Sequence, residues 1–138
     1  MLHKFSLVIL LFSSFIVKAQ FTDDADRLKN MPYMQHNINC DSTSSGSNLA
    51  HKYCLNKEFQ ETDSILNVTL NKVLANYENS SSKNDIIQIQ KTWVSNRHNQ
   101  ARLVAYGYKG HMAGIKYLHY MVVSTKSRTK ELECFLVP

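Results

Sequence analysis

The sequence has few of the residues that interrupt regular structure. Its 138 residues include four glycines and two prolines, too few for an all-β protein, which needs many tight turns, and for a collagen-like or proline-rich chain. Three cysteines are also too few for a small scaffold held together by several disulfides. What is present is typical of one globular domain, since 43% of the residues are apolar and 20% are charged.

One uninterrupted apolar run is found, at the amino terminus. Residues 1–4 are short and basic, residues 5–17 are apolar, and small residues precede Gln20. A bilayer span needs about 20 apolar residues, so this pattern predicts a cleavable signal peptide over residues 1–19. The alternative is a buried amino-terminal core helix. No cysteine follows the cleavage site, which argues against a lipid-anchored protein.

The predicted mature chain, residues 20–138, is only weakly basic. Without Lys4 and Lys18 it holds 14 basic and 11 acidic residues, a formal charge of +3. A nucleic-acid-binding protein ordinarily carries a denser basic stripe, so we expect no nucleic-acid partner and no stable membrane span once the signal is removed. The expected location is the periplasm or the cell exterior, where disulfides persist.

Helical periodicity begins where a polar amino-terminal stretch ends. Residues 20–37 lack sustained periodicity and are predicted to be an irregular, mobile segment. Apolar residues then recur at spacings of three and four in three windows, about 48–77, 85–105 and 115–134. With short connections these windows predict an all-α, antiparallel three-helix bundle over residues 38–135. A strand at residues 122–125 is the alternative within the third window.

The inward faces of the last two predicted helices can be read from the same spacing. In the second helix the expected stripe is Ile86, Ile89, Trp93, Arg97, Gln100 and Val104. In the third it is Ile115, Leu118, Val122, Thr125, Thr129 and Leu132. Both stripes would face the core of the bundle.

The connection between the second and third helices is the candidate partner-binding site. Residues 106–114 hold three of the four glycines, so we predict a loop there. The candidate contact residues are Tyr106, Tyr108, Lys109 and His111, which combine rigid aromatic area with groups that can donate charge-assisted hydrogen bonds. The alternative is an ordinary exposed turn.

Several polar side chains fall on or near the predicted apolar stripes. They are Asp63, Asn67, Trp93, Arg97, Thr125 and Arg128. A buried charge must be paired, and a guanidinium offers a planar fork to a carboxylate. We therefore predict that Asp63 and Asn67 accept hydrogen bonds from one or both arginines, beside the indole ring. We interpret this network as a structural lock that fixes helix register rather than as a binding site.

The arrangement of reactive side chains indicates neither an enzyme nor a metal site. The mature chain has five histidines, and none forms an H-x-x-x-H pair or a Cys/His ligand spacing. A nucleophile with a nearby base and a phosphate-binding loop are also missing. We predict a non-enzymatic protein without a cofactor.

The order of these residues resembles a known family. Cys54 is followed by Asp63-x-x-Leu66-Asn67, Gln90-x-x-Trp93-x-x-x-Arg97 and Thr125-x-x-Arg128-x-x-x-Leu132. This succession resembles the LprI-type lysozyme-inhibitor family over about residues 38–134. The resemblance implies an exported helical domain and, for characterised members, inhibition of lysozyme. The expected partner is a lysozyme or another exported protein. The alternative function is a non-enzymatic interaction module of the cell envelope.

Three cysteines, Cys40, Cys54 and Cys134, allow three different pairs. The resemblance favours Cys40–Cys54, because these two match the family's first two cysteines. The family usually has a second pair, at positions corresponding to Ala101 and to residues 117–120, and this sequence lacks both of its cysteines. Losing a disulfide costs about 2–5 kcal/mol, so helix packing is expected to contribute more stability here.

Overall fold

The computed structural model describes residues 24–41 and 46–136, and regular structure in these ranges is entirely helical. A short helix, α1 (Asp24–Lys29), and a 3-10 turn (Pro32–Gln35) precede three long helices, α2 (Asn48–Asn76), α3 (Ser82–Ala105) and α4 (Gly110–Glu133). The all-α prediction is confirmed, and the alternative of a strand at residues 122–125 is wrong. The predicted signal peptide, residues 1–19, lies outside the described residues.

Local sequence chemistry fixes where α2 begins and ends. The Ser47 hydroxyl accepts a hydrogen bond from the Ala50 backbone N–H at 3.1 Å, which satisfies one of the unpaired donors of the first turn. At the other end, the Tyr77 backbone N–H donates to the Val73 carbonyl oxygen at 3.2 Å. The polar residues 77–81 then reverse the chain into α3.

Helix α4 is the central helix of the bundle, since it packs against both α2 and α3. Gly114 of α4 faces Lys52 of α2, and about three turns further along both helices Thr125 and Asp63 contact the same arginine. Helices α2 and α4 therefore run in the same direction. The short connections on either side of α3 place it antiparallel to both.

The apolar interior is divided into two clusters along the bundle axis. The larger contains Leu28, Leu55, Phe59, Ala101, Ile115, Leu118, Met121 and Val122, and is found at the end where α3 turns into α4. The smaller contains Leu66, Val73, Ile86 and Leu132, towards the end where α2 turns into α3. We call these ends the tip half and the far half.

The amino-terminal segment has more structure than its composition predicts. Residues 20–37 were expected to be irregular, but residues 24–35 contain α1 and the 3-10 turn, and both pack on α2. Leu28 and Tyr33 are buried, and the Asn56 side-chain amide donates to the Leu28 carbonyl and to the Tyr33 hydroxyl, each at 2.8 Å. A six-residue helix is too short to display an apolar period, and long-range contacts such as these stabilise it.

The predicted loop at residues 106–114 is shorter than expected. Helix α4 begins at Gly110, so only residues 106–109 connect the helices and His111 lies in the first turn of α4. The prediction depended on three glycines, but Gly110 (φ 57°) turns the chain into the helix and Gly114 lies within α4.

No helix in the described part of the chain combines the length and the apolar content that a bilayer span requires.

Candidate functional site

A buried arginine joins the three long helices at the boundary between the two core clusters. Arg97 of α3 is only 3% exposed. Its Nη1 donates to Asp63 Oδ1 of α2 at 2.7 Å and to Thr125 Oγ1 of α4 at 2.9 Å. The Thr125 hydroxyl in turn donates to the Met121 carbonyl oxygen at 2.6 Å, so the guanidinium is held by one side chain from each neighbouring helix.

A second carboxylate approaches the same guanidinium from the amino-terminal segment. Asp24, also 3% exposed, places Oδ2 at 3.8 Å from Arg97 Nη2. Two carboxylates therefore flank one cation, which offsets the cost of burying all three charges. Sequence reasoning missed Asp24, because it lies in the segment predicted to be mobile. The one signal was the run of acids at positions 23, 24 and 26.

Aromatic rings enclose this ion pair. The Arg97 guanidinium carbon lies 4.9 Å from the centroid of the Trp93 ring and 5.1 Å from that of Phe59, distances typical of cation–π contacts. Arg97 Nε is buried without a hydrogen-bond partner among the described residues. The two rings thus contact the guanidinium in addition to its ion pairs.

Asn67 and Arg128 form hydrogen bonds that differ from those predicted for the network. Asn67 was expected to face inward and accept a hydrogen bond, but it is exposed and its Nδ2 donates to Asp63 Oδ2 at 3.2 Å. Arg128 lies one turn beyond Thr125 on α4, where the facing residue of the antiparallel α3 is Gln90. Its Nε donates to Gln90 Oε1 at 3.0 Å and its Nη1 to Glu131 at 2.9 Å.

The disulfide favoured by the resemblance is present. Cys40 and Cys54 are bonded, with 5.6 Å between their Cα atoms, and they fasten the segment before α2 to the second turn of that helix. Cys134 is an exposed free thiol just beyond α4.

Hydrogen-bonded aromatic side chains join α3 and α4 where the family's second cysteine pair is missing. Ala101 is fully buried in the core. Next to it, the Tyr120 hydroxyl donates to Gln100 Oε1, and His98 Nδ1 lies 3.0 Å from the Tyr117 hydroxyl. Non-covalent contacts thus occupy the positions for which the sequence resemblance implied a second disulfide.

Tyr117 belongs to a polar cluster that extends this contact to α1. Arg27 Nη2 donates to the Tyr117 hydroxyl at 2.8 Å and to Asp24 Oδ1 at 3.0 Å, and His98 Nδ1 lies 3.2 Å from the same Asp24 oxygen. Burial and the nearby Asp24 carboxylate raise the pKa of Tyr117. This cluster fixes α1 against α3 and α4.

The candidate partner-binding residues meet at one exposed end of the bundle, which we call the tip and define as residues 103–112. Tyr106 is 85% exposed and Leu103 is 72% exposed, while Tyr108, Lys109 and His111 are also exposed. The φ of Gly107 is 85°, a backbone conformation that favours glycine. This turn places the two tyrosines outside the core.

The tip is cationic as well as apolar. Lys109 lies in the tip, Arg102 and Lys116 flank it in sequence, and residues 99–116 contain no acidic residue. Lys116 Nζ lies 5.3 Å from the centroid of the Tyr108 ring, and a depression of about 300 Å³ beside Tyr106 is lined by Asn99, Arg102 and Leu103. Exposed apolar side chains, Leu103, Tyr106 and Tyr108, thus lie close to cationic ones at this end of the bundle.

Metal ligands are not grouped anywhere in the described ranges: three or more His, Cys, Asp or Glu side chains do not come together there.

Comparison with known proteins identifies the family. A family model described as "Lysozyme inhibitor LprI" matches residues 40–132. This chain belongs to the LprI family. The LprI match covers Asp63, Arg97 and Thr125 together with the disulfide and the tip, whereas Asp24 precedes it. No curated protein and no solved structure gives a significant match to the chain.

Proposed function

We propose that this protein is an exported, non-enzymatic inhibitor that binds a lysozyme through its tip and blocks the glycan cleft. The LprI family is described by lysozyme inhibition, and the Cys40–Cys54 disulfide suits an oxidising compartment outside the cytoplasm. The observation that carries the proposal is the tip, where exposed aromatic rings and cations are gathered without a nearby acid.

The chemistry of the tip fits the chemistry of a lysozyme cleft. Glycoside hydrolases of this kind place two carboxyl groups beside the scissile bond. Lys109 and His111, adjacent at the start of α4, would offer those carboxyl groups charge-assisted hydrogen bonds. Tyr106 and Tyr108 would fill the sugar subsites with rigid aromatic area, which contributes much of the affinity at protein interfaces.

The overall charge of the chain bears on which forces would hold such a complex together. A weakly basic chain gains no long-range attraction towards a basic lysozyme, so affinity must come from contacts at the tip itself. The structure offers a firm base for them, because the ion pair and the larger core cluster lie directly behind the tip. A surface held in place before binding loses less conformational entropy when the complex forms.

Lysis of cell-wall suspensions by several lysozyme classes tests the proposal. With the purified, oxidised protein in micromolar excess, we expect at least one lysozyme to be inhibited. The double variant Lys109→Ala/His111→Ala should weaken inhibition about tenfold or more, the effect of losing one or two charge-assisted hydrogen bonds.

Two variants on exposed parts of α2 serve as matched controls. Lys72→Ala removes a charge and Val68→Ser an exposed apolar side chain, and both should inhibit like the wild type. Full inhibition by the tip variant would contradict the assignment of the site. No inhibition of any lysozyme class would contradict the function and favour an interaction module of the cell envelope.

A further inference from the structure

A cleft separate from the exposed aromatic residues of the tip opens between the amino-terminal segment and the bundle. Its volume is about 390 Å³, within the range of small-molecule sites. One part of the wall is apolar and is formed by Leu28, Met31, Leu118 and the rings of Tyr33 and Tyr117. The cleft exists because α1 and the 3-10 turn lie against α2, which leaves space between them and the facing ends of α3 and α4.

The remaining wall is cationic. Its cations are Arg27, Lys52 and Arg102; His98 also lines the cleft, and no acidic side chain of the described residues does. Asp24 contacts Arg27 and His98 but is buried behind them. Lys52 and Arg102 form no ion pair with any residue in the described ranges, so two of these charges are available to an anion.

Lys52 is held at the cleft rather than extended into water. Its Nζ lies 4.1 Å from the centroid of the Tyr33 ring, and partial burial lowers the pKa of its ammonium group. On the opposite side, a Cβ at Gly114 would come within 2.9 Å of Lys52 Cε. Because glycine has no side chain, position 114 of α4 leaves the space in which the Lys52 stem lies.

We propose that this cleft binds a small carboxylate with an apolar body, the carboxylate lying between Lys52 and Arg102 and the apolar part against Leu28, Met31 and Leu118. The positive charges of Lys52 and Arg102 favour an anion. The apolar wall favours an anion that also carries a hydrocarbon part. Arg102 is the one lining residue that the cleft shares with the depression beside Tyr106; the other lining residues lie outside the tip, so this inference goes beyond the proposed inhibition.

Titration of the purified, oxidised protein with octanoate tests the inference. Calorimetry would give the affinity, and amide chemical shifts would show whether residues around Lys52, Arg102 and Gly114 respond. Octylamine and octyl glucoside, which have the same chain with a positive or neutral head, are the matched probes. We expect octanoate to bind more tightly than either probe by about tenfold, the effect of a charge-assisted hydrogen bond.

Three variants localise the binding. Lys52→Met keeps the apolar stem and removes the charge, and Arg102→Ala removes the second cation; each should weaken octanoate binding about tenfold. Lys72→Ala, on an exposed part of α2, is the control and should bind like the wild type. Equal binding of the three probes, no binding of octanoate at millimolar concentration, or unchanged affinity in both cleft variants would overturn the inference.

Gly114→Ala keeps the inference testable should the charge variants fold poorly. Alanine is a better helix former than glycine, so the fold is retained, while the added Cβ displaces the Lys52 stem. We expect weaker octanoate binding with an unchanged circular dichroism spectrum. Wild-type affinity in Gly114→Ala would count against a role for Lys52 at this position.

Discussion

The two halves of the bundle are built from the same three helices but are supported differently. The core of the tip half includes Phe59 and Met121, both without exposed surface, and it is covered by α1 and fastened by the disulfide. No residue of α1 belongs to the smaller core of the far half, whose partly buried neighbours include Leu70 and Trp93. The half that presents the exposed tip is therefore the more heavily supported one.

The heavier support of the tip half has a physical reason if the tip is a binding surface. The connection at residues 106–109 is short and has little internal packing, so it depends on the helix ends beneath it. Arg97 stands where the two core clusters meet and is paired with carboxylates from α1 and α2. The ion pair thus couples the amino-terminal segment to the bundle at the level where support for the tip begins.

The largest expected effect comes from removing the arginine at the boundary. Arg97→Ala leaves Asp24 and Asp63 buried without their cation, so the free energy of unfolding should fall by about 3–5 kcal/mol. Urea denaturation followed by circular dichroism measures it. The exposed neighbour Arg102→Ala should stay within about 0.5 kcal/mol of the wild type. A similarly small loss for Arg97→Ala would show that the ion pair does not stabilise the fold.

A matched pair of leucines on α4 compares the two halves directly. Leu118 is 1% exposed in the tip half and Leu132 is 0% exposed in the far half. Leu118→Ala should cost about 4 kcal/mol, whereas Leu132→Ala should cost about 2–3 kcal/mol, because the less enclosed far half can relax around the cavity. Denaturant midpoints of the two variants decide the order. The reverse order would mean that the covering segment adds no rigidity.

The smallest expected effect is a fall in the free energy of unfolding at alkaline pH, caused by two tyrosines of the tip half. Burial raises the pKa of Tyr33 and of Tyr117, so above the ordinary tyrosine pKa of about 10 the unfolded chain loses these protons first. Stability is then fully present below about pH 10 and is lost as the pH rises through the folded-state values. The lowered pKa of Lys52 acts in the opposite direction, but that side chain is less buried.

Unfolding free energies measured between about pH 8 and 11 test this dependence. Tyr117→Phe should reduce the loss of stability at high pH, whereas Tyr106→Phe, at an exposed ring of the tip, should leave it unchanged. A pH dependence that is the same in the wild type and in Tyr117→Phe would contradict the explanation.

The sequence predicts α2 and α4 well because each presents a broad apolar stripe to the core. On α4, the six residues of the predicted stripe are all buried: Ile115, Leu118, Val122, Thr125, Thr129 and Leu132. The stripe on α3 is partly wrong, because Ile89, Gln100 and Val104 are exposed. Gln90 and Ala101 are buried instead. Helix α3 packs chiefly against α4, so only a narrow face of α3 is buried. Gln90 lies on that face, where it accepts a hydrogen bond from Arg128, and Ile89 lies outside it.

The exposed positions at the tip could be predicted from residues close together in the sequence. The contacts between residues far apart in the sequence were harder to predict. Tyr106, Tyr108 and Lys109 follow from a glycine-rich connection. The partnership of Asp63 with Arg97 follows from the cost of burying a charge. Asp24 was missed, because its burial depends on residues far along the chain from it. The cleft beside Lys52 was missed for the same reason.

The position of Asp24 bears on how this protein should be produced. Only a few residues separate it from the predicted processing site before Gln20, so a purification tag or an uncleaved leader would lie next to the contacts that Asp24 makes with Arg27, Arg97 and His98. A tag after Leu136, at the opposite end of the bundle, avoids that neighbourhood. Recombinant protein that begins at the predicted mature residue Gln20 should therefore unfold with higher cooperativity than an amino-terminally tagged version.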